Sequence, residues 1–361
     1  MAGSVCFVVG GVVAGRPAAA KGRWSYYSES SKTFRLRRTV TRVSESAVVA
    51  ENTGRLQRNY EDWNWNGYKV NVKSQGPEDA RLNVLLVHGF GASVNHWFEL
   101  QQMLADSGLR AHAVDLLGFG ASDKPVDVEY SIELWSDMLS DLVREKGGRW
   151  IVSGNSVGSL AALDTANKLG KDFVSGICLF NCAGGLTAFR YSELSIPIRI
   201  LYFMVRKIFF NPVLGRWFFD NYRSKSNIES ILLQVYGNKD AVTEELVEML
   251  FTPSEDENAS SVFLKVLDGP PGPTPESLLE QLSWCPLIAI WGQADPWTPV
   301  GNENGMNFHP GCEFSEYHPN FQLFMLDETG HCPHDERPEE CRKLFLDWIE
   351  QSVSSKTGDS N

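Results

Sequence analysis

A hydroxyl, a carboxylate and an imidazole in this 361-residue chain have surroundings suited to one reaction, nucleophilic attack on a carbonyl carbon. Ser156 lies in Gly154-Asn155-Ser156-Val157-Gly158, a Gly-x-Ser-x-Gly pattern. The run Trp150-Ile151-Val152-Ser153 before it reads as a short buried strand, and Ser159 to Asn167 after it reads as a helix. Strand, sharp turn and helix together are the context of a nucleophile elbow. Such a turn leaves no room for side chains at the flanking glycines and sets the serine hydroxyl at a helix N-terminus. A serine hydroxyl is a weak nucleophile at neutral pH, so the motif needs a base and a site for the developing oxyanion.

His331, in Glu328-Thr329-Gly330-His331-Cys332-Pro333-His334, follows Leu326 by five residues and is the expected base. Asp295, in Trp291-Gly292-Gln293-Ala294-Asp295-Pro296, stands just past a strand end and is the expected acid that orients the imidazole. A second strand end carries Asn181, whose amide cannot neutralise an imidazolium, and this leaves Asp295 as the better acid. Two backbone N–H groups would hold the oxyanion: that of Val157, next to the serine, and that of Phe90 in His88-Gly89-Phe90-Gly91. On the substrate side the candidates are His88, Gly89, Trp97 and Asn155, with His88 also read as a prop for the oxyanion loop. Asp115 is expected to shape the glycine-rich turn that follows it. No cofactor and no metal is expected, since His331 and His334 lack a carboxylate at ligand spacing.

The elements that position these residues alternate. Trp63 to Val72 reads as outer strands, Asn83–Val87 as a strand buried on both faces, and Ala111–Val114, Val174–Phe180, Pro286–Trp291 and Phe321–Leu326 as further strands. A helix is expected over about Ile132–Glu145 and a closing helix over about Pro338–Gln351, with Cys341, Leu344, Phe345 and Trp348 on one face. The expectation is an α/β fold, a mostly parallel sheet with helices on both faces, whose chemistry collects at the carboxyl ends of the strands. The core would occupy residues 51–183 and 284–353, interrupted at 184–283 by a helical cap and followed by a disordered tail at 354–361. The cap run Ser195 to Phe219 is apolar but broken by Pro197, Arg199, Arg206, Lys207 and Pro212, so it is no membrane span. It reads either as a cap packed on the core or as an apolar roof for a lipid-like ester, with peripheral membrane contact through its basic residues.

Charge is divided unevenly. Residues 1–50 carry eight Lys and Arg against Glu29 and Glu45, a net of +6, which leaves −18 on the remainder of a chain whose total is −12. An acidic body argues against nucleic acid as partner. The leader 1–50 is rich in Ser, Thr, Ala and Arg, as an organellar transit peptide should be, and is expected to be disordered, with cleavage between Arg42 and Glu51. A secretory signal would want basic residues ahead of the apolar run Val5 to Val13, and only the amino terminus precedes it. Seven cysteines, odd in number and without metal-ligand spacing, read as buried small hydrophobes.

With these residues in hand the chain resembles the α/β-hydrolase superfamily from about Trp65 to Gln351, in which the triad follows the order Ser, Asp, His. Four stretches are similar to a plant and cyanobacterial group that includes pheophytinase and chlorophyll dephytylase. They are His88-Gly89-Phe90-Gly91 with His96-Trp97, Asp115 to Gly120, Gly154 to Gly158, and Gly330 to Asp335. The resemblance implies the α/β-hydrolase fold, Ser156 as nucleophile, Asp295 as acid and His331 as base. It also implies a chloroplast rather than mitochondrial location and ester substrates with long apolar alcohols. Epoxide hydrolases and haloalkane dehalogenases are also similar, but their nucleophile is an aspartate where Ser156 stands. The expected activity is therefore hydrolysis of a hydrophobic carboxylic ester through an acyl-enzyme. A non-catalytic receptor for a small hydrophobic ligand and an epoxide-hydrolase-like enzyme are the alternatives.

Overall fold

The computed structural model describes residues 25–27 (backbone), 61–186, 211–301, 309 and 311–353. Among these, nine strands form one sheet in the order β1-β9-β8-β7-β6-β4-β5-β3-β2. The strands are β1 Ser25–Tyr27, β2 Glu61–Trp65, β3 Tyr68–Gln75, β4 Asn83–Val87, β5 Arg110–Val114, β6 Trp150–Asn155, β7 Val174–Phe180, β8 Leu287–Gly292 and β9 Phe321–Leu326. From β5 through β4 and on to β9 and β1 every pairing is parallel, while β3 runs antiparallel to both β2 and β5. The helices are α1 Phe98–Asp106, α2 Ile132–Lys146, α3 Val157–Phe173, α4 Pro212–Tyr222, α5 Lys225–Val235, α6 Glu244–Phe251, α7 Ala259–Asp268, α8 Pro275–Leu279, α9 Pro333–Glu336 and α10 Pro338–Trp348.

The successive apolar residues of the central strands are explained by cores on both sides of the sheet. Leu85, Val87, Val152 and Leu179 pack with Trp135, Leu139 and Leu142 of α2 and Leu160 and Leu163 of α3. Their neighbours Val84, Leu86, Ile151 and Cys178 pack with Leu100 and Leu104 of α1 and Leu344, Phe345 and Trp348 of α10. Each such side chain contributes about 1.5–3 kcal/mol by leaving water. Helix α1 was not anticipated, although Leu100 and Leu104 already stand one turn apart on its buried face. All six cysteines among the described residues are free, and all but Cys312 are buried.

One expectation for the leader fails. Residues 1–50 were expected to lack structure, yet Ser25–Tyr27 lies parallel to Phe324–Leu326. The strand covers the outer edge of β9, whose backbone N–H and C=O groups would otherwise lack ladder partners. The rest of the leader and the 354–361 tail lie outside the described residues.

Between β7 and β8 the chain leaves the sheet. Residues 212–282 hold helices and no strand, while 187–210, including most of the apolar run Ser195 to Phe219, lie outside the described residues. Part of this insertion has a core of its own: Leu232, Val235, Tyr236, Leu246, Val247 and Met249 cluster with Cys332 from the loop after β9.

The strand order reverses at β4, with β5 on one side of it and β6 on the other. Such a reversal opens a crevice at the carboxyl ends of the two diverging strands. Register pairs Val87 with Gly154, so the loops that begin at His88 and Asn155 leave the sheet side by side.

Candidate active site

Four neighbouring strands deliver four polar residues to one edge of the sheet: Ser156 after β6, Asn181 after β7, Asp295 after β8 and His331 after β9. Ser156 is the most constrained. Its φ of 56° and ψ of −125° lie in a region that side chains other than glycine rarely adopt, and it immediately precedes α3. The turn is pinned on both sides: the Ser156 N–H donates to the Phe180 carbonyl at 3.0 Å, and its own carbonyl accepts from Ser159 at 3.0 Å and Ala183 at 3.2 Å. A Cβ at Gly158 would overlap the carbonyl oxygens of Val87 and His88, and one at Gly154 would overlap that of Gly158. Both flanking glycines are thus required by close backbone approach.

Asp295 and His331 are brought together. His331 Nδ1 and Asp295 Oδ2 are 2.8 Å apart, with both residues buried. The carboxylate accepts from Nδ1–H, which leaves Nε2 as the unprotonated nitrogen of the neutral ring. The Thr298 hydroxyl donates to the same Oδ2, and the Trp297 and Thr298 N–H groups donate to Oδ1 at 2.8 and 3.2 Å. Burial alone would push the Asp295 carboxyl up. The His331 charge and the hydrogen bonds from His331, Thr298 and Asn181 outweigh it and hold the carboxyl down at about 2. The edge of the exposed Trp297 indole meets the His331 ring at a centroid separation of 5.3 Å.

The loop after β4 touches the elbow. A Cβ at Gly89 would lie 3.1 Å from Cβ of Ser156, so the Gly89–Phe90 backbone runs against the serine. Ala92 N–H donates to the Gly89 carbonyl at 3.2 Å, a turn whose hydrogen bond does not use the Phe90 N–H. Val157 is the first residue of α3, where N–H groups have no intrahelical partner. Both candidate oxyanion donors therefore flank Ser156.

Three of the four substrate-side candidates have a different role. His88 is fully buried: its Nε2 accepts from Leu116 N–H at 3.0 Å, so Nδ1 carries the proton and donates to the Gly89 carbonyl at 2.7 Å. Burial lowers the imidazole pKa despite the nearby Asp115 carboxylate and the Gly89 carbonyl, which act the other way. His88 props the oxyanion loop and has no surface for a ligand. Trp97 is also fully buried, stacked on His334 at 4.0 Å, because it belongs to the α1 side of the core. Asn155 is buried too, and its Nδ2 donates to the carbonyls of Phe180 at 3.2 Å and His331 at 3.0 Å. It ties the elbow to the histidine loop. Gly89 lies against both Ser156 and Asn155.

Asp115 shapes its turn as expected, accepting from Val94 N–H at 2.6 Å, Asn71 Nδ2 at 2.7 Å and Ala121 N–H at 2.8 Å. Two residues were not assigned their roles from the sequence. Asn181 donates from Nδ2 to Asp295 Oδ2 at 2.6 Å and accepts from Gly292 N–H at 3.0 Å. The buried Glu336 accepts from Gly330 N–H at 2.9 Å with one oxygen and from Gly237 and Asn238 N–H at 2.7 and 3.0 Å with the other. With the 2.8 Å bond from His331 N–H to the Val235 carbonyl, it fastens the histidine loop to the end of α5. The usable signals were a strand-end position for Asn181 and, for Glu336, an acid five residues beyond the histidine.

A chain of aromatic contacts runs from the loop after β4 to α4. Phe90 meets Phe119 at 5.7 Å and Phe263 at 5.4 Å, and Phe263 meets Phe219 of α4 at 5.1 Å.

Comparison with known proteins agrees with this architecture. The sequence profile of the alpha/beta hydrolase family matches residues 84–344. An uncharacterized hydrolase of Bacillus subtilis, YugF, is 25% identical over 75% of this chain and 90% of its own length. The chloroplastic pheophytinase of Arabidopsis thaliana is 26% identical over 75% of this chain, and the match spans 62% of the pheophytinase. Among solved structures, a thermophilic esterase from Thermogutta terrifontis superposes with a TM-score of 0.60 at 21% identity, covering 82% of this chain and 99% of the esterase.

Proposed function

We propose that this chain, a member of the alpha/beta hydrolase family, is a serine hydrolase that cleaves hydrophobic carboxylic esters through an acyl-enzyme on Ser156. The reading is carried by one observation: a serine held at positive φ on a strand-to-helix turn, with a histidine–aspartate pair delivered from the same edge of the sheet.

In this mechanism His331 Nε2 takes the Ser156 proton as the hydroxyl oxygen attacks the ester carbonyl. Asp295 stays ionised and stabilises the imidazolium. The N–H groups of Phe90 and Val157 receive the oxyanion, each worth roughly 100–1,000-fold in turnover. The imidazolium then protonates the leaving alcohol, and water activated by the same histidine releases the acid. The contacting rings of Phe90, Phe119 and Phe263, beginning at the loop that runs against Ser156, favour an apolar substrate portion.

Similarity to pheophytinase, together with the basic Ser- and Ala-rich leader, supports a plastid hydrolase acting on phytyl-type or related lipid esters. A fusion of residues 1–60 to a fluorescent protein tests the location, and a diffuse cytosolic signal would count against it.

Labelling with a fluorophosphonate probe tests the chemistry. Wild type should react and Ser156→Ala should not. An unreactive wild type would favour a binding module that keeps the fold without the reaction. Turnover of p-nitrophenyl esters of increasing acyl length, with pheophytin and chlorophyll alongside, then identifies the substrate class.

A further inference from the structure

Among the described residues the exposed tryptophans are Trp217 and Trp297, and Trp297 is 58% exposed. The others are buried or half-buried, as so large an apolar side chain ordinarily is. The Trp297 backbone, by contrast, is fixed. Its N–H donates to Asp295 Oδ1 at 2.8 Å, and the next carbonyl, that of Thr298, accepts from the indole N–H of the buried Trp291 at 2.7 Å. The turn that carries the acid therefore also holds the Trp297 indole out in solvent, edge to face with the His331 ring at 5.3 Å.

Sheet order separates this indole from the other exposed ring near the serine. Phe90 follows β4, on one side of β6 and Ser156, whereas Trp297 and His331 follow β8 and β9, on the other. The two rings also differ in what they adjoin. Phe90 belongs to the oxyanion loop and meets Phe119 and Phe263, while Trp297 adjoins the imidazole.

During acylation His331 hands its proton to the leaving alcohol, whose oxygen must come within about 3 Å of Nε2. The carbons attached to that oxygen then begin beside the indole. Apolar carbons there displace water from the exposed indole face, and methanol has too few to do so.

We propose that Trp297 is the specificity-determining residue for the alcohol part of the ester, receiving its apolar carbons on the exposed indole face. The assignment rests on the ester-hydrolase reading of the site and adds which residue discriminates and which half of the ester it reads.

Methyl, butyl and octyl butyrate test it, compared by kcat/KM in wild type, Trp297→Ala and Trp297→Phe. This ratio reports acylation, in which the alcohol is still part of the substrate, even where deacylation limits kcat. Trp297→Ala should lose at least about tenfold on the octyl ester and less than about twofold on the methyl ester, with Trp297→Phe recovering most of the loss. The melting temperature and the pH–rate profile should stay as in wild type. Equal losses on all three esters, or a shifted pH profile, overturn the proposal, since the indole would then serve His331 and not the substrate. A loss that instead grows with acyl length, from ethyl acetate to ethyl octanoate, overturns the assignment to the alcohol. A wild type that cleaves no ester sinks the hydrolase reading, and binding of octanol, read by saturation-transfer NMR, then decides the role of Trp297. Weaker binding to Trp297→Ala than to wild type supports it, and equal binding or none overturns it.

Discussion

The side-chain amide of Asn181 donates a 2.6 Å hydrogen bond to Oδ2 of Asp295, the oxygen that also faces His331 Nδ1 at 2.8 Å. Two strand ends, after β7 and after β8, thus converge on one carboxylate oxygen. The amide is neutral, so it supplies a hydrogen bond without competing for the proton of His331.

This geometry predicts a swap. Asp295→Asn should lower kcat by about 10⁴-fold, because the ring loses its anionic partner and its tautomer preference. Adding Asn181→Asp to that variant puts a carboxylate back within reach of the same site and should recover at least about tenfold. Asn181→Asp alone sets two carboxylates together, which raises the pKa of the pair and moves the acid limb of the pH–rate profile upward. Steady-state kinetics of the three variants decides it; no recovery in the double variant would mean that Asn181 does not share the acid position.

Gly158→Ala should act far beyond its one methyl. The added Cβ would overlap the Val87 and His88 carbonyls and push the oxyanion loop away from Ser156. Overpacking of this kind costs about 1–3 kcal/mol of stability, and misplacing one donor costs roughly 100-fold in turnover. Fluorophosphonate labelling rate and a urea melt measure both, and a variant with wild-type labelling would contradict the close packing.

Glu336 joins the histidine loop to the cap through three backbone N–H groups. Glu336→Ala leaves them without their acceptor and should destabilise the protein by about 2–4 kcal/mol. Glu336→Gln keeps one acceptor oxygen, so it should lower kcat about tenfold through a looser His331 with KM little changed. A loss confined to KM would show instead that the contact serves substrate binding by the cap.

Stability should fall in acid, beginning below about pH 6.5. Burial holds the His88 and His334 imidazoles below their ordinary range, and His112 is lowered to about 3 by burial together with the charges of Lys146 and Arg110. The unfolded chain therefore binds more protons than the native protein once pH drops below the free-histidine value, so each ring removes roughly 1.4 kcal/mol per pH unit. Asp295, held down at about 2, adds its own loss as pH falls from near 4 through that value. Denaturant melts between pH 7 and about 5 should show the slope, and His112→Asn should reduce it by about one proton's worth. A flat profile would mean that these rings are not buried as neutral groups.

Much of this was legible in the chain itself, and the reason is local. The elbow is a continuous segment whose glycines, strand and helix follow one another, so Ser156 could be recognised without knowing the fold. Successive apolar residues at Asn83–Val87 call for burial on both faces, which a covered parallel sheet provides. Asp295 and His331 could be picked out as candidates because each follows a strand end by a few residues, and they lie 2.8 Å apart.

Other assignments depended on contacts that sequence spacing does not encode. His88, Trp97 and Asn155 sit near the motifs in sequence, yet burial turns them into a prop, a core residue and a tie between two loops. The strand Ser25–Tyr27 was missed because three residues carry too little pattern to separate from a leader, and only the open edge of β9 gives them a partner.

The sequence alone determined the fold class, the candidate nucleophile and the order of its partners, because each rests on short-range periodicity or on one contiguous turn. The tertiary structure alone decided that Asn181 shares a carboxylate oxygen with His331 and that Glu336 fastens the cap to the histidine loop. Those relationships join residues as far as 114 positions apart. Strand order and register, which no local pattern specifies, are what bring them within hydrogen-bond reach.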